Sequence, residues 1–265
     1  MMINIEDRNS IKGFLDGKVS EFNALSFIEN DPVSIPHMFS KKEDIEISGF
    51  LTSVISWGRR ANILKSARKM MELMENRPGD FLINSTGSDK RAMTGFVYRT
   101  FNGNDLLFLI EALKNIYLYY GGLEEVFTSF YLKNGSVKEG IEGLRKILLE
   151  TPHLTRSEKH IANPHKGSAA KRINMFLRWM VRNDDKGVDF GLWKRVSPAD
   201  LMIPLDVHSG NIARKLGLLK RKQNDWKAVE QLTSVLKTFN NNDPVIYDYA
   251  LFSLGITGFF EMKKI

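Results

Sequence analysis

Residues 164–182, PHKGSAAKRINMFLRWMVR, join a short glycine-containing turn directly to an amphipathic segment. Apolar side chains recur in this segment at helical spacing and share one face: Ile173, Phe176, Leu177, Met180 and Val181. Basic side chains share another face: Lys171, Arg178 and Arg182. The pattern predicts an α-helix that packs through its apolar face, while its basic face contacts either water or phosphate.

Helical spacing of apolar residues extends over most of the chain, as in residues 47–55, 63–74 and 106–116. Prolines are confined to the gaps between such segments, and the alternation that marks β-strands is rare. The sequence therefore predicts an all-α fold.

The composition limits the classes of function. The chain has 265 residues, 43% hydrophobic and 26% charged, which is enough for one large core or two modest lobes. The 38 Lys and Arg residues exceed the 31 Asp and Glu residues, and the formal charge of +7 favours a polyanionic partner. The absence of cysteine excludes disulfides, thiolate zinc sites, cysteine-bound iron–sulfur clusters and a cysteine nucleophile.

We expect neither an export signal nor a membrane-spanning segment in this sequence. Residues 1–12 mix charged side chains with apolar ones and contain no unbroken apolar stretch before a small-residue cleavage site. No apolar stretch approaches the roughly 20 residues that a membrane helix needs. We expect a cytoplasmic protein without membrane contact.

A second informative segment, residues 203–214 (IPLDVHSGNIAR), predicts a loop that leads into a helix with Asp206 as its N-cap. The free backbone N–H groups at such a helix start can hold an anion, and the carboxylate can face a developing positive charge. The plainer alternative is that Asp206 only caps the helix.

Together, the two segments resemble the helix-hairpin-helix DNA glycosylase superfamily, which includes endonuclease III and the 8-oxoguanine DNA glycosylases. In that superfamily a glycine-rich hairpin runs into a helix whose early lysine is the nucleophile, within a Lys-x-x-Asn pattern in the endonuclease III branch. Here residues 167–170 (GSAA) precede Lys171 and Asn174. The catalytic aspartate of 8-oxoguanine glycosylases lies in a Pro-hydrophobic-Asp-Val-His pattern, which residues 204–208 reproduce. The longer pattern, which continues to DPVIYD at residues 243–248, also resembles a bacterial family catalogued as a domain of unknown function.

The resemblance implies an all-α fold of two helical lobes, with a helix-hairpin-helix-like element and a DNA-binding cleft between the lobes. Residues 40–182 are expected to form a helical barrel lobe that includes the hairpin. Residues 1–39 and 183–265 are expected to form the second lobe and complete the cleft.

The resemblance also implies the activity of a DNA glycosylase in base-excision repair, acting on duplex DNA that contains a damaged base. Cleavage of an N-glycosidic bond gives the sugar oxocarbenium character, which a carboxylate stabilises, and a neutral amine can then attack C1′ to form a Schiff base. These are the roles implied for Asp206 and Lys171. The expected target is an oxidised purine, 8-oxoguanine, and AP-lyase strand cleavage is an expected second activity. We expect a monomer that needs no cofactor.

Further residues are candidates for contacts with DNA. Trp57 and Arg59 follow a segment that resembles an early helix of the superfamily, whose end fills the gap left by an extruded base; the alternative for Trp57 is a place in the core. Other candidates lie at the hairpin, on the basic face of its helix and after Asp206: Lys166, Gly167, Ser168, Arg178, Arg182, His208 and Ser209. His160 and His165 lack a suitably spaced carboxylate, so we predict no catalytic metal.

Three features depart from the superfamily pattern. The second glycine of the hairpin is Ala169 here, Lys171 lies 35 positions before Asp206, and the cluster cysteines of endonuclease III are absent. The long spacer is similar to that of archaeal 8-oxoguanine glycosylases, and the missing cysteines point away from the pyrimidine-specific branch. The departures leave open an alternative, a non-catalytic DNA- or RNA-binding module on a glycosylase-like fold. A helical scaffold for an acidic partner would also fit the charge, but leaves the pairing of Lys171 with Asp206 unexplained.

Overall fold

A computed structural model describes residues 7–258 of the chain. It is mostly helical, which confirms the predicted all-α class. The α-helices, numbered along the chain, are α1 (Arg8–Phe22), α2 (Lys42–Val54), α3 (Arg60–Leu73), α4 (Pro78–Asn84), α5 (Gly87–Arg91), α6 (Gly103–Tyr119), α7 (Leu123–Asn134), α8 (Val137–Leu149), α9 (Lys171–Val181), α10 (Val207–Lys215), α11 (Trp226–Lys237) and α12 (Tyr247–Ile256). No helix within this part of the chain is long and apolar enough to span a bilayer.

A small antiparallel hairpin interrupts the helices. Its strands are β1 (Val97–Tyr98) and β2 (Phe101–Asn102), and they pair Val97 with Asn102 and Tyr98 with Phe101. Arg99, in the tight turn between the strands, adopts a φ of 54°. This left-handed conformation is uncommon for a residue with a side chain, and here it turns the chain before α6 begins.

The structure divides into two compact units. The terminal unit combines residues 7–27 with residues 166–258 and contains α1 and α9–α12. The central unit consists of residues 28–165 and contains α2–α8 with the hairpin of β1 and β2. The extreme ends that the sequence assigned to the second lobe, residues 1–6 and 259–265, lie outside the described part of the chain.

The unit boundaries differ from those expected from the sequence, because α9 and the turn before it belong with the chain termini. Backbone hydrogen bonds explain the grouping. The Trp226 N–H donates to the Gly167 carbonyl (3.1 Å), and the Trp193 N–H donates to the Met180 carbonyl (2.9 Å). The turn and the end of α9 are therefore both tied to segments that follow them in the chain.

The core of the central unit includes a close pair of helices, α7 and α8. A Cβ atom added at Gly143 of α8 would lie 2.0 Å from the Phe130 ring of α7, so only glycine permits this approach. The buried side chains of the unit include Phe50, Leu51, Leu109, Leu113, Phe127 and Leu144. Each such side chain contributes on the order of 1.5–3 kcal/mol through removal from water.

The core of the terminal unit joins α1 to the C-terminal helices. It includes Ile11, Leu15, Leu205, Ile212, Leu232 and Leu251. A Cβ atom added at Gly255 of α12 would lie 2.7 Å from the Cβ atom of His208 in α10. Gly255 therefore permits a close helix approach, which places α12 beside the start of α10.

Candidate active site

The segment before α9 forms the predicted turn. Residues 164–167 turn the chain, Gly167 has a φ of +86°, and Ser168 forms an isolated antiparallel bridge with Asp225. The residue that replaces the second hairpin glycine, Ala169, is not among those with positive φ; the left-handed residue is Ala170, with φ 50° and ψ 32°. The Ala170 N–H donates to the Ser168 hydroxyl (3.2 Å), which holds this less favourable conformation in place. Alanine at position 169 is thus compatible with the turn.

Lys171 is the first residue of α9, and its side chain is half-buried. Its Nζ atom lies 3.4 Å from the Met175 Sδ atom and 5.9 Å from the centre of the Phe252 ring. No carboxylate in the described part of the chain forms an ion pair with it. The amine is therefore held by a thioether and an aromatic face, and no salt bridge has to break before it reacts.

Asp206 is the N-cap of α10, as the sequence predicts. Its Oδ1 atom accepts hydrogen bonds from the Ser209 N–H (2.9 Å) and from the Ser209 hydroxyl (3.2 Å). The hydroxyl in turn accepts from the Asp206 N–H (3.0 Å), which completes a capping box. Among residues 7–258, no donor reaches the second carboxylate oxygen, Oδ2. One oxygen therefore caps the helix, and the other is open to a further partner.

Asp248 in the first turn of α12 is the neighbour that Lys171 and Asp206 share. Its side chain is buried and accepts a 2.5 Å hydrogen bond from Arg178 Nη1. Burial raises the pKa of the Asp248 carboxyl to about 6; the negative charge of Asp206 acts in the same direction, while the positive charges of Arg178 and Lys171 oppose it. Two side chains 35 positions apart in the sequence thus act electrostatically on one carboxyl.

Phe252 lies one helical turn after Asp248 on α12 and extends the same group of side chains. Besides its contact with Lys171, its ring meets the ring of His208 at 6.5 Å between centroids. The sequence pattern placed Asp248 in a motif but did not make either residue a candidate for the site. The available signal was the i, i+4 spacing of a carboxylate and an aromatic ring at the start of a helix.

Arg178, predicted to contact DNA, is buried instead. Its Nη1 atom pairs with Asp248 (2.5 Å) and its Nε atom with Asp189 (3.3 Å), while its guanidinium lies 4.4 Å from the centre of the Tyr249 ring. A guanidinium with these partners is not available to a phosphate. Its role is to neutralise buried carboxylates and to hold α9 against α12.

Arg182, the other predicted DNA contact on α9, is also buried, with 1% of its surface exposed. It forms ion pairs with Asp184 (2.6 Å), Asp189 (3.0 Å) and Asp243 (2.8 Å). Burial would lower the pKa of Arg182, but the charges of Asp189 and Asp243 raise it. The basic face of α9 is therefore an internal ion-pair network beyond its first turn, and not a surface for DNA.

Ser209 was also predicted to contact DNA, but it is buried. Its hydroxyl and its N–H are both used in the capping box with Asp206. The remaining candidates in the terminal unit are exposed: Lys166, Gly167, Ser168 and His208. The turn before α9 and the start of α10 thus keep candidate phosphate contacts at the surface, while Ser209 positions Asp206.

Trp57 and Arg59 lie in the central unit, in the loop between α2 and α3. Arg59 is exposed, whereas Trp57 is half-buried. The Trp57 ring stacks on His160 (5.9 Å between centroids) and meets Tyr98 edge-on (5.2 Å), and the Tyr98 hydroxyl donates to the Trp57 carbonyl. The ring is thus held by aromatic neighbours and keeps part of its surface in solvent.

Comparison with known proteins gives a family but no activity. The model of a family described as "Protein of unknown function (DUF2400)" matches residues 31–257, which confirms the resemblance to a family of unknown function. No curated protein and no solved structure matches the chain. Within residues 7–258, no group of three or more His, Asp or Glu side chains is arranged to hold a metal ion.

Proposed function

We propose that this chain, which belongs to the DUF2400 family of proteins of unknown function, is a DNA glycosylase that removes an oxidised purine, 8-oxoguanine, from duplex DNA. One observation carries the proposal: the Phe252 ring joins the two segments, because its centre lies 5.9 Å from the Lys171 Nζ atom and 6.5 Å from the centre of the His208 ring, two residues after Asp206. An amine without a salt bridge and a carboxylate with one open oxygen are the two groups that this chemistry needs. The likeness of both segments to helix-hairpin-helix glycosylases supports the same assignment.

The first step breaks the C1′–N9 bond of the damaged nucleotide. Its electron pair passes to N9 of the base, which takes a proton from water, and the sugar gains oxocarbenium character. The open Oδ2 atom of Asp206 stabilises this positive charge, while Oδ1 remains bonded to Ser209 and keeps the carboxylate oriented. Capping and catalysis are compatible because they use different oxygens.

The second step forms a bond between the lone pair of the Lys171 amine and C1′. The nitrogen loses a proton to water, the C1′–O4′ electron pair passes to O4′, which is protonated, and a C1′=N Schiff base remains. Water hydrolyses the Schiff base and restores the lysine. Alternatively, loss of a C2′ proton expels the 3′ phosphate, which is the AP-lyase activity.

Borohydride trapping tests the proposal, because hydride reduces a Schiff base to a stable amine. The protein is mixed with duplexes that each carry one lesion, including 8-oxoguanine opposite cytosine, and a covalent adduct is expected on denaturing gels. Lys171→Ala abolishes the adduct. Lys171→Arg also abolishes it while retaining the charge, so DNA affinity is preserved. An adduct that persists in Lys171→Arg would show that another amine reacts, and would overturn the assignment.

Asp206→Asn separates catalysis from folding. Asparagine is as good an N-cap as aspartate, so the helix start is preserved while the negative charge is lost. We expect the single-turnover rate to fall by about 10²-fold or more, with DNA affinity unchanged. A rate equal to that of the wild type would remove Asp206 from the mechanism.

The alternative function, a non-catalytic DNA- or RNA-binding module, is favoured by one observation: the capping box by itself explains why an aspartate occupies position 206. A binding module predicts a different result in the borohydride-trapping experiment. Salt-sensitive binding to nucleic acid without an adduct on any lesion would support this module and exclude the enzyme.

A further inference from the structure

The loop between α10 and α11, with the first two turns of α11, forms an open groove rich in positive charge. Its lining consists of Lys220, Arg221, Lys222, Gln223, Lys227 and Gln231. Lys220, Lys222 and Lys227 are exposed and form no ion pair among residues 7–258. These three ammonium groups therefore leave a local excess of positive charge.

The groove is built on a fixed loop. Arg221 Nε donates to Asp225 Oδ1 (2.6 Å), and a second contact joins the same two side chains. The Arg221 carbonyl accepts from Arg214 Nε of α10 (2.8 Å), and the Arg221 N–H donates to Gln231 Oε1 of α11 (3.2 Å). Because Arg221 and Asp225 neutralise each other, the lysines carry the net charge of the groove.

The same loop is joined to both segments of the candidate active site. At one end, the Trp226 N–H donates to the Gly167 carbonyl (3.1 Å) and Asp225 bridges to Ser168. At the other end, Asn224 Nδ2 donates to the Asp206 carbonyl (2.8 Å). The groove thus adjoins both the turn before Lys171 and the start of α10 at Asp206.

Space for this link is provided by Gly210 in α10. A Cβ atom added there would lie 2.9 Å from the Asn224 Oδ1 atom and 2.9 Å from the Arg214 Nη1 atom. Arg214 Nη2 also donates to Asn224 Oδ1 (2.6 Å), which orients the amide toward Asp206. The groove and the cap are therefore held in a fixed relation by polar contacts.

We propose that Lys220, Lys222 and Lys227 bind the backbone phosphates of duplex DNA beside the nucleotide held at Lys171 and Asp206. The inference rests on the proposed function for the position of the DNA. The groove offers ammonium and amide groups for phosphate oxygens, and its lining contains no aromatic side chain on which an unpaired base could stack. Proteins that bind single strands combine positive charge with such stacking surfaces, so the lining favours the duplex backbone.

The experiment replaces all three lysines in one groove variant, Lys220→Gln, Lys222→Gln and Lys227→Gln. A control variant, Lys65→Gln, Lys133→Gln and Lys146→Gln, removes the same charge from exposed lysines of the central unit. The dissociation constant for an undamaged duplex is measured between 50 and 200 mM salt. Three lost phosphate contacts reduce the slope of log affinity against log salt by about 2.7, so wild-type affinity falls about 40-fold more than that of the groove variant over this range.

The outcomes separate this inference from the proposed function. A reduced slope in the groove variant alone supports the groove, even if no lesion gives an adduct and the glycosylase proposal fails. Equal slopes in the wild type, groove and control variants overturn it, as does the absence of duplex binding by the wild type. Loss of affinity for single-stranded DNA or RNA, with duplex affinity unchanged, also overturns it.

Discussion

Asp105 and Asp206 both belong to capping boxes at the starts of helices, one in each unit, but their carboxylates differ in how fully they are used. Asp105 is completely buried. It accepts hydrogen bonds from the Asn102 N–H (2.9 Å), the Ser157 hydroxyl (2.6 Å) and Arg156 Nη1 (3.0 and 3.1 Å). Both of its oxygens are occupied, whereas Asp206 keeps one oxygen open.

The electrostatic surroundings of Asp105 match this structural role. Burial would raise the pKa of Asp105, but the hydrogen bonds from Ser157 and Asn102, together with the charges of His160 and Arg156, hold it below its usual value. A carboxylate that is stabilised from every side has no capacity left for a substrate. The open oxygen, and not the position at a helix start, therefore distinguishes a candidate catalytic aspartate from a structural one.

The largest effect is expected for Asp105→Asn. The variant removes a buried charge that pairs with Arg156, and it turns an amide N–H₂ group toward donors. We expect the free energy of unfolding to fall by roughly 3–5 kcal/mol, measured by urea denaturation. The matched control is Asp80→Asn, an exposed carboxylate in the first turn of α4, for which a loss below about 1 kcal/mol is expected. Equal losses in the two variants would contradict the role assigned to Asp105.

A second effect concerns Asp248, whose surroundings act in the opposite direction to those of Asp105. Within residues 7–258, the network around Arg178 and Arg182 brings together two guanidiniums and four carboxylates, the latter from Asp184, Asp189, Asp243 and Asp248. Burial and the negative charge of Asp206 favour the neutral form of Asp248, although the charges of Arg178 and Lys171 oppose them. A pKa of about 6 in the folded state exceeds the value of about 3.9 in the unfolded chain.

The raised pKa predicts a pH dependence of stability. The contribution of Asp248 is fully present below about pH 4 and is lost as the pH rises through about 6, because the unfolded chain ionises first. Asp248→Asn imitates the neutral form. The stability of the wild type relative to this variant should therefore fall by about 2 kcal/mol between pH 4.5 and 7.5. Asp185→Asn, at an exposed site of the same unit, serves as the control with no such change. A pH-independent difference for Asp248→Asn would contradict the assignment.

The sequence predicts the local features of the candidate site but not the partners of its buried side chains. The helix start at Lys171 and the cap at Asp206 could be predicted, because turn residues, capping residues and helical spacing are local features. The burial of Arg178 and Arg182 could not be predicted, since spacing alone does not distinguish a solvated basic face from a buried one. Their partners are acidic residues that follow α9 or lie far along the chain, and only the fold brings them together.

The same limit applies to the surroundings of the candidate site. The hydrogen bond from Asn224 to the Asp206 carbonyl joins residues that are 18 positions apart and share no motif. Phe252 of α12 lies beside Lys171, and α12 also packs closely against α10 at Gly255. Local patterns thus identified the two candidate catalytic residues, while their neighbours depend on how the helices of the terminal unit pack.

The smallest effect is expected for Asp206 variants, whose free energy of unfolding tests the difference between Asp206 and Asp105 most directly. Asp206→Ala removes the acceptor for the Ser209 N–H, so the free energy of unfolding should fall by about 1 kcal/mol in urea denaturation. Asp206→Asn keeps an oxygen at the same place and should cost less than about 0.5 kcal/mol. Asp105→Asn has no such tolerance, because both of its oxygens have partners. If Asp206→Asn destabilised the protein as much as Asp105→Asn does, the second oxygen of Asp206 would also be structurally committed, and it could not stabilise a sugar cation.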